Sequence, residues 1–122
     1  MRVFINHTNH PSAAWSEAQL KAAEKYGRIR DIPFPAIAPD WDEAEIGRLA
    51  REQAECIVAE EPAAVLVQGE FTYSYALIGL LQKAGIMVLA ACSRRCTESV
   101  VNEQQETVCR SVFRFVRFRR YC

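Results

Sequence analysis

Polar residues able to bind a phosphate or a nucleobase follow three short apolar runs, in the segments 6–12, 68–72 and 92–95. Arg forks bind phosphates, backbone N–H groups at a helix start can do the same, and Asn or Gln can read a base edge. These residue types predict a site for an anionic, base-bearing ligand. Its candidate residues are Asn6, His7, Thr8, Asn9, Gln68, Gly69, Glu70, Thr72, Ser93, Arg94 and Arg95.

Three of these residues could also take part in catalysis. His7 could move a proton, while Arg94 and Arg95 could stabilise charge on a phosphate. Glu70 could act as a general base, or it could interact favourably with the dipole of the helix that follows. A Cys92 nucleophile with His7 as its base is a further alternative.

A zinc site can be drawn from His7 and His10 together with Cys92 and Cys96. Both spacings arise easily by chance, so we predict that the protein uses no metal and no other cofactor. The chain also has no G-x-G-x-x-G and no G-x-x-x-x-G-K-[ST], which argues against NAD binding and ATP hydrolysis.

The apolar runs that must position these residues predict a parallel sheet. Residues 63–67 and 86–91 are expected to form two buried strands joined by a helix that Thr72 caps and Gly85 ends. A right-handed crossover brings the ends of both strands to one edge of the sheet, where open α/β sheets bind ligands. The segments 68–72 and 92–95 are therefore expected to be neighbouring loops.

The rest of the chain continues this alternation. Residues 2–6 and 29–32 predict two further strands, 16–26 predicts a helix capped by Ser12 or Ser16, and a longer helix should run from Asp40 or Asp42 to about residue 60. Beyond residue 95 the pattern predicts a hairpin, with strands at 97–101 and 107–121. We expect one α/β domain over 1–122, a Rossmann-like three-layer sandwich with a mainly parallel sheet and a C-terminal antiparallel β-hairpin.

Charge is unevenly distributed, although 15 basic and 15 acidic residues cancel. Residues 92–122 carry seven Arg and three Glu, whereas residues 1–91 carry eight basic and twelve acidic residues. This favours an anionic ligand near the tail or a contact between the tail and an acidic face of a partner subunit; solvated arginines are the alternative. The last strand mixes Phe or Val with Arg on both faces, so we expect a bulge or a homodimer contact there.

Several observations indicate a cytoplasmic protein. No apolar run approaches the roughly 20 residues that cross a bilayer, and the first residues have no signal-peptide core. Five cysteines at unrelated spacings favour reduced thiols. We expect no membrane partner and no duplex nucleic acid as a partner.

The chain resembles small stand-alone CRISPR-associated Rossmann-fold (CARF-like) proteins of type III systems. The segments that carry the resemblance are 4–12, 15–16, 31–35, 67–72, 89–93 and 113–119. It implies a homodimer that binds a cyclic oligoadenylate second messenger and that could cleave it, without a metal, by attack of a ribose 2′-OH on the adjacent phosphate. The alternatives are a non-catalytic module for a mononucleotide or small anion, and a homo-oligomeric structural protein.

Overall fold

The structure, a computed structural model, describes residues 2–122 and contains one five-stranded sheet flanked by three α-helices. The strand order is β2-β1-β3-β4-β5, with β5 antiparallel to β4 and the other neighbours parallel. A 3-10 turn at Ser12–Ala14 precedes the first helix. The elements are β1 (Val3–Thr8), α1 (Glu17–Glu24), β2 (Arg28–Asp31), α2 (Glu43–Ala59), β3 (Ala64–Gln68), α3 (Phe71–Lys83), β4 (Val88–Val101) and β5 (Thr107–Arg120).

Helices cover both faces of the sheet. On one face Ile5 and Val65 pack in a cluster with residues of α2 and α3. On the other face Phe4 and Leu66 pack with Ala23 of α1. Because successive strand residues point to opposite faces, strand segments covered on both sides must be apolar, as residues 3–5 of β1 and 64–67 of β3 are. The prediction of a Rossmann-like three-layer sandwich is confirmed.

The helix ends show which cap predictions were right. Ser16 caps α1 through a hydrogen bond from the backbone N–H of Gln19 to its hydroxyl, and Asp42 caps α2. Gly85 follows α3 with a φ of 81°, in the left-handed region that favours glycine. Thr72 was the wrong cap for α3, since the helix starts at Phe71 and the Glu70 side chain caps it.

The predicted loop after residue 91 does not exist. Instead, β4 continues to Val101 and pairs with β5 over its full length, with a turn at residues 102–106. Ser93, Arg94 and Arg95 are therefore strand residues. The hairpin itself was predicted, but it is longer than expected. Its outer part, residues 93–116, is called the ribbon below; most of its side chains are exposed.

A bulge explains the mixed pattern of the last strand. The register shifts so that Cys92 pairs with Arg117 while Ser93 pairs with Phe115, which leaves Val116 as the extra residue. An extra residue inverts the alternation, so two residues three positions apart share a face. The rings of Phe115 and Phe118 indeed meet, with centroids 4.9 Å apart. Within residues 2–122, no helix is long and apolar enough to cross a membrane.

Candidate functional site

The strand order places the expected ligand crevice at the carboxyl ends of β1 and β3. The chain leaves β1 toward β2 on one side, and β3 lies on the other side, so the strand order reverses between β1 and β3. In open α/β sheets the crevice at the carboxyl ends of the strands at such a point is the usual ligand site. Thr8 and Gln68 are register partners at these two strand ends.

The segment after β1 is held rigidly by its own side chains. The Asn6 amide donates to the carbonyl of His10 at 2.9 Å and to the Asp31 carboxylate at 3.0 Å. The Trp15 indole N–H donates to the same His10 carbonyl at 3.1 Å, and Ser12 donates to Asp31 from both its backbone N–H and its hydroxyl. Asn6 is thus a buried structural residue of β1, whereas the sequence had suggested a ligand-binding loop residue.

His7 is also part of the core. Its ring is fully buried, with Nδ1 2.9 Å from the Ile32 carbonyl and Nε2 2.8 Å from the Tyr73 hydroxyl. A carbonyl only accepts, so Nδ1 carries the proton and the Tyr73 hydroxyl donates to Nε2. Burial lowers the pKa of the His7 imidazole, which favours this neutral form. Both ring nitrogens are occupied, and this arrangement gives His7 no contact through which to move a proton of a ligand.

Gln68 and Gly69 have structural roles at the end of β3. The Gln68 side chain accepts from the Ala91 backbone N–H at 3.0 Å and donates to the Ala91 carbonyl at 3.3 Å, so it extends the pairing of β3 with β4. Gly69 is not in the left-handed region. A Cβ atom there would overlap the Phe34 ring, so glycine is needed because the ring lies directly against the backbone.

Glu70 occupies the helix start that had been expected to hold a phosphate. Its carboxylate accepts from the backbone N–H groups of Tyr73 at 2.8 Å and Thr72 at 2.9 Å, and from the Thr72 hydroxyl at 2.7 Å. The Tyr73 N–H, followed by the Thr72 hydroxyl, holds the pKa of Glu70 below its usual range. A ligand phosphate at these N–H groups would meet a negative charge, which argues against a phosphate at this helix start.

The two arginines do not point to the same place. Neighbouring residues of a strand face opposite sides, and the register places Arg95 beside Phe113 on the α1 side of the sheet. Arg94 pairs with Arg114 on the opposite side. Only Arg95 shares a ribbon face with Ser93, so the two guanidiniums cannot grip one ligand within one subunit.

A cavity of about 450 Å³ lies where the carboxyl edge meets the ribbon. The carboxyl edge contributes hydroxyl, amide and imidazole groups. The aromatic rings come from Trp15, which precedes α1, and from the ribbon. We call it the edge–ribbon cavity, and its principal lining residues are Thr8, His10, Trp15, Gln68, Ser93, Phe113 and Phe115. It therefore brings together Thr8, Gln68 and Ser93 of the predicted site.

Four residues that line this cavity were not among the predicted site residues. Trp15 was interpreted as a packing residue, His10 was left out of the candidate ligand residues, and Phe113 and Phe115 were assigned to an interface. The alternation of Phe with Arg in residues 113–117 was the available signal. Asn9 instead lines a smaller cavity of about 290 Å³ on the other side of the β1 segment, next to Asp31 and Phe34.

Two other features of the structure bear on the site. A larger groove of about 800 Å³ runs along α3, but its walls are mostly apolar, with Phe71, Tyr75 and Ile78 among them and Lys83 as its single cation. Over residues 2–122, no group of three or more His, Cys, Asp or Glu side chains is arranged to hold a metal ion. The four candidate zinc ligands therefore do not form a site.

Comparison with known proteins places most of the chain in one family model. The model of the family described as "Uncharacterized protein MJ1673 family" matches residues 2–119. No curated protein and no solved structure matches the chain. The match spans all the secondary structure elements except the last residue of β5.

Proposed function

The chain belongs to the uncharacterized protein MJ1673 family, and we propose that this member binds a cyclic oligoadenylate in its edge–ribbon cavity. The observation that carries the proposal is the Phe113 ring, which is 72% exposed and lines the same cavity as Thr8, His10 and Gln68. Stacking of a base on an aromatic ring contributes about 1–3 kcal/mol, and polar groups opposite the ring can read the edge of that base.

The phosphates of such a ligand need a cation and hydrogen-bond donors close to this ring. His10 lines the cavity, and Arg95 is the cross-strand partner of Phe113 on the same ribbon face. A guanidinium on a strand beside an aromatic ring can reach a phosphate attached to a stacked nucleoside. The Ser93 hydroxyl lines the same cavity and adds a donor.

The geometry favours binding over cleavage. Ring cleavage through a ribose 2′-OH needs groups that move protons or stabilise charge at the reacting phosphate. His7 has both ring nitrogens occupied in the core, and Arg94 faces away from Arg95. We therefore propose a sensor or a reservoir for the messenger that acts in the cytoplasm beside a type III CRISPR system, as the sequence resemblance suggests.

Isothermal titration calorimetry tests this proposal with cyclic tri-, tetra- and hexa-adenylate, linear oligoadenylate and AMP. We expect at least one cyclic ligand to bind more tightly than the linear ligand and AMP, and Phe113→Ala to weaken it about tenfold or more. Val101→Ala is the matched control, because Val101 is an exposed apolar residue near the ribbon tip, away from the cavity lining. Equal loss in both variants, or binding of AMP alone, would contradict the proposal.

A further inference from the structure

The face of the ribbon turned away from the edge–ribbon cavity carries an unusual concentration of positive charge. Arg94 and Arg114 are direct cross-strand partners, and Arg110 and Arg117 lie on the same side. Like charges placed directly opposite each other destabilise a pair of strands. Glu98 alone pairs here, with Arg110 at 2.8 Å and with Arg114 at 3.4 Å, and among residues 2–122 Arg94 has no carboxylate within ion-pair distance. We call this surface the arginine face.

Apolar side chains are interleaved with these charges. Val108 and Val112 share the face through their pairing with Val100 and Cys96, and Val116 bulges beside them with half of its surface exposed. A two-stranded ribbon is only marginally stable by itself in water. Its valines indicate a protein surface as the covering partner, because a nucleic acid backbone offers mainly phosphates and sugars.

The complementary surface is present on the same chain. Residues 40–61, which contain α2, hold eight carboxylates and two arginines. Between α2 and α3 lies an open groove of about 520 Å³ with an apolar floor that includes Ala54, Val58 and Leu80. Glu55 and Arg51 line its rim, and Glu52 is exposed on the next turn of the helix surface. An acidic helix with an apolar groove matches a basic ribbon with interleaved valines.

We propose that the arginine face of one chain docks on the α2–α3 groove of a second copy, and that the second ribbon docks reciprocally on the first chain. Two equal contacts of this kind close a two-fold dimer. The valines enter the groove, while Arg94 and Arg114 meet Glu52 and Glu55 of the other copy. The inference does not rest on nucleotide binding, since it uses the opposite face of the ribbon.

Sedimentation velocity of the full chain tests the dimer. At low salt we expect a species of twice the 13.8 kDa chain mass. Raising the salt concentration from about 0.05 to about 0.5 M should dissociate this dimer, because dissolved ions screen the attraction between exposed charges. The double variant Arg94→Glu with Arg114→Glu should be monomeric. Arg28→Glu, a charge reversal at one exposed position of the distant strand β2, should remain dimeric.

Mixing two defective chains identifies the contact. The double variant Glu52→Arg with Glu55→Arg should also be monomeric, but an equal mixture of the two double variants should form a dimer at low salt. In that mixture one contact has both charges reversed and the other has both charges native. Unchanged melting temperatures show that each variant is folded. A wild-type monomer at about 0.1 mM, or a mixture that stays monomeric, would overturn the proposal, as would wild-type chains that bind labelled single-stranded RNA through the arginine face without dimerising.

Discussion

The carboxyl edge of the sheet and the ribbon contribute to the same cavity, but they are stabilised in opposite ways. At the edge, the side chains of Asn6, His7 and Gln68 form hydrogen bonds with neighbouring backbone and side-chain groups. On the ribbon, Phe113 is 72% exposed and Arg94 faces another arginine. The side chains of the edge are thus held in place by hydrogen bonds, whereas side chains of the ribbon remain available to contact a ligand or a partner.

This difference separates polar residues that shape a site from those that can contact a ligand. Residues of both kinds look alike in the sequence, since both are polar and follow apolar runs. Substitutions at the edge should therefore act mainly on stability, whereas substitutions on the ribbon should act mainly on binding and assembly.

The largest expected effect is the loss of stability in His7→Phe. The replacement leaves the Ile32 carbonyl without its donor and the buried Tyr73 hydroxyl without its acceptor. Each unsatisfied buried group costs about 1–3 kcal/mol, so the free energy of unfolding should fall by about 2–5 kcal/mol in urea denaturation. His10→Phe, at an exposed position nearby, is the control and should change it little. Equal effects would show that the His7 contacts contribute little.

Arg95→Ala should have the next largest effect, on ligand affinity. A charge-assisted hydrogen bond to a phosphate contributes about 1.5–3 kcal/mol, which corresponds to a tenfold or greater loss of affinity for the cyclic ligand. Arg94→Ala removes the same group from the other ribbon face and should leave the intrinsic affinity within about twofold. Calorimetry at high salt keeps assembly from contributing. A larger loss in Arg94→Ala would reverse the assignment of the two faces.

Gly69→Ala should be moderately destabilising. The new methyl group overlaps the Phe34 ring, which must move from its contact with His7, so overpacking should cost about 1–3 kcal/mol. Gly79→Ala is the matched control within α3, because a Cβ atom there meets nothing within 4 Å. It should raise stability by up to about 1 kcal/mol through helix propensity. Thermal melts that show the same sign for both variants would contradict this account.

The smallest predicted effect is a pH dependence due to His7. Its pKa in the folded protein is lowered, so the unfolded chain binds this proton more readily than the folded chain does. The stabilisation is present above about pH 6.5, the ordinary pKa of histidine, and is lost as the pH falls below it. The melting temperature should fall between about pH 7.5 and 5.5, and by less in His7→Phe. Identical pH profiles would exclude His7 as the cause.

Much of this fold could be predicted, because covered strands and amphipathic helices leave local patterns. The runs around Val65 and Leu89 and the stop at Gly85 are examples. The length of β4 could not be predicted, since an exposed ribbon has no buried face to impose an alternation and Cys92–Arg95 has the composition of a loop. The register between β4 and β5 could not be predicted from the sequence either, because the bulge at Val116 depends on pairing across the hairpin.

The sequence predicted which strand ends come together more successfully than it predicted the contacts of their side chains. Chain order and crossover handedness were enough to place Thr8, Gln68 and Ser93 near one another. The burial of His7 depends on Tyr73, 66 residues away in the sequence, and no local pattern shows that contact. The pairing of Arg95 with Phe113 on one ribbon face was not visible in the sequence for the same reason.

The most direct test of the edge–ribbon cavity is a map of backbone amide chemical shifts in ¹⁵N-labelled protein titrated with cyclic tetra-adenylate, or with the ring size that calorimetry shows to bind. We expect the largest changes at Thr8, His10, Ser93 and Phe113, with Gly79 in the apolar groove of α3 unchanged. Changes concentrated along the α3 groove, with Ser93 and Phe113 unaffected, would contradict the assignment of the edge–ribbon cavity as the ligand site.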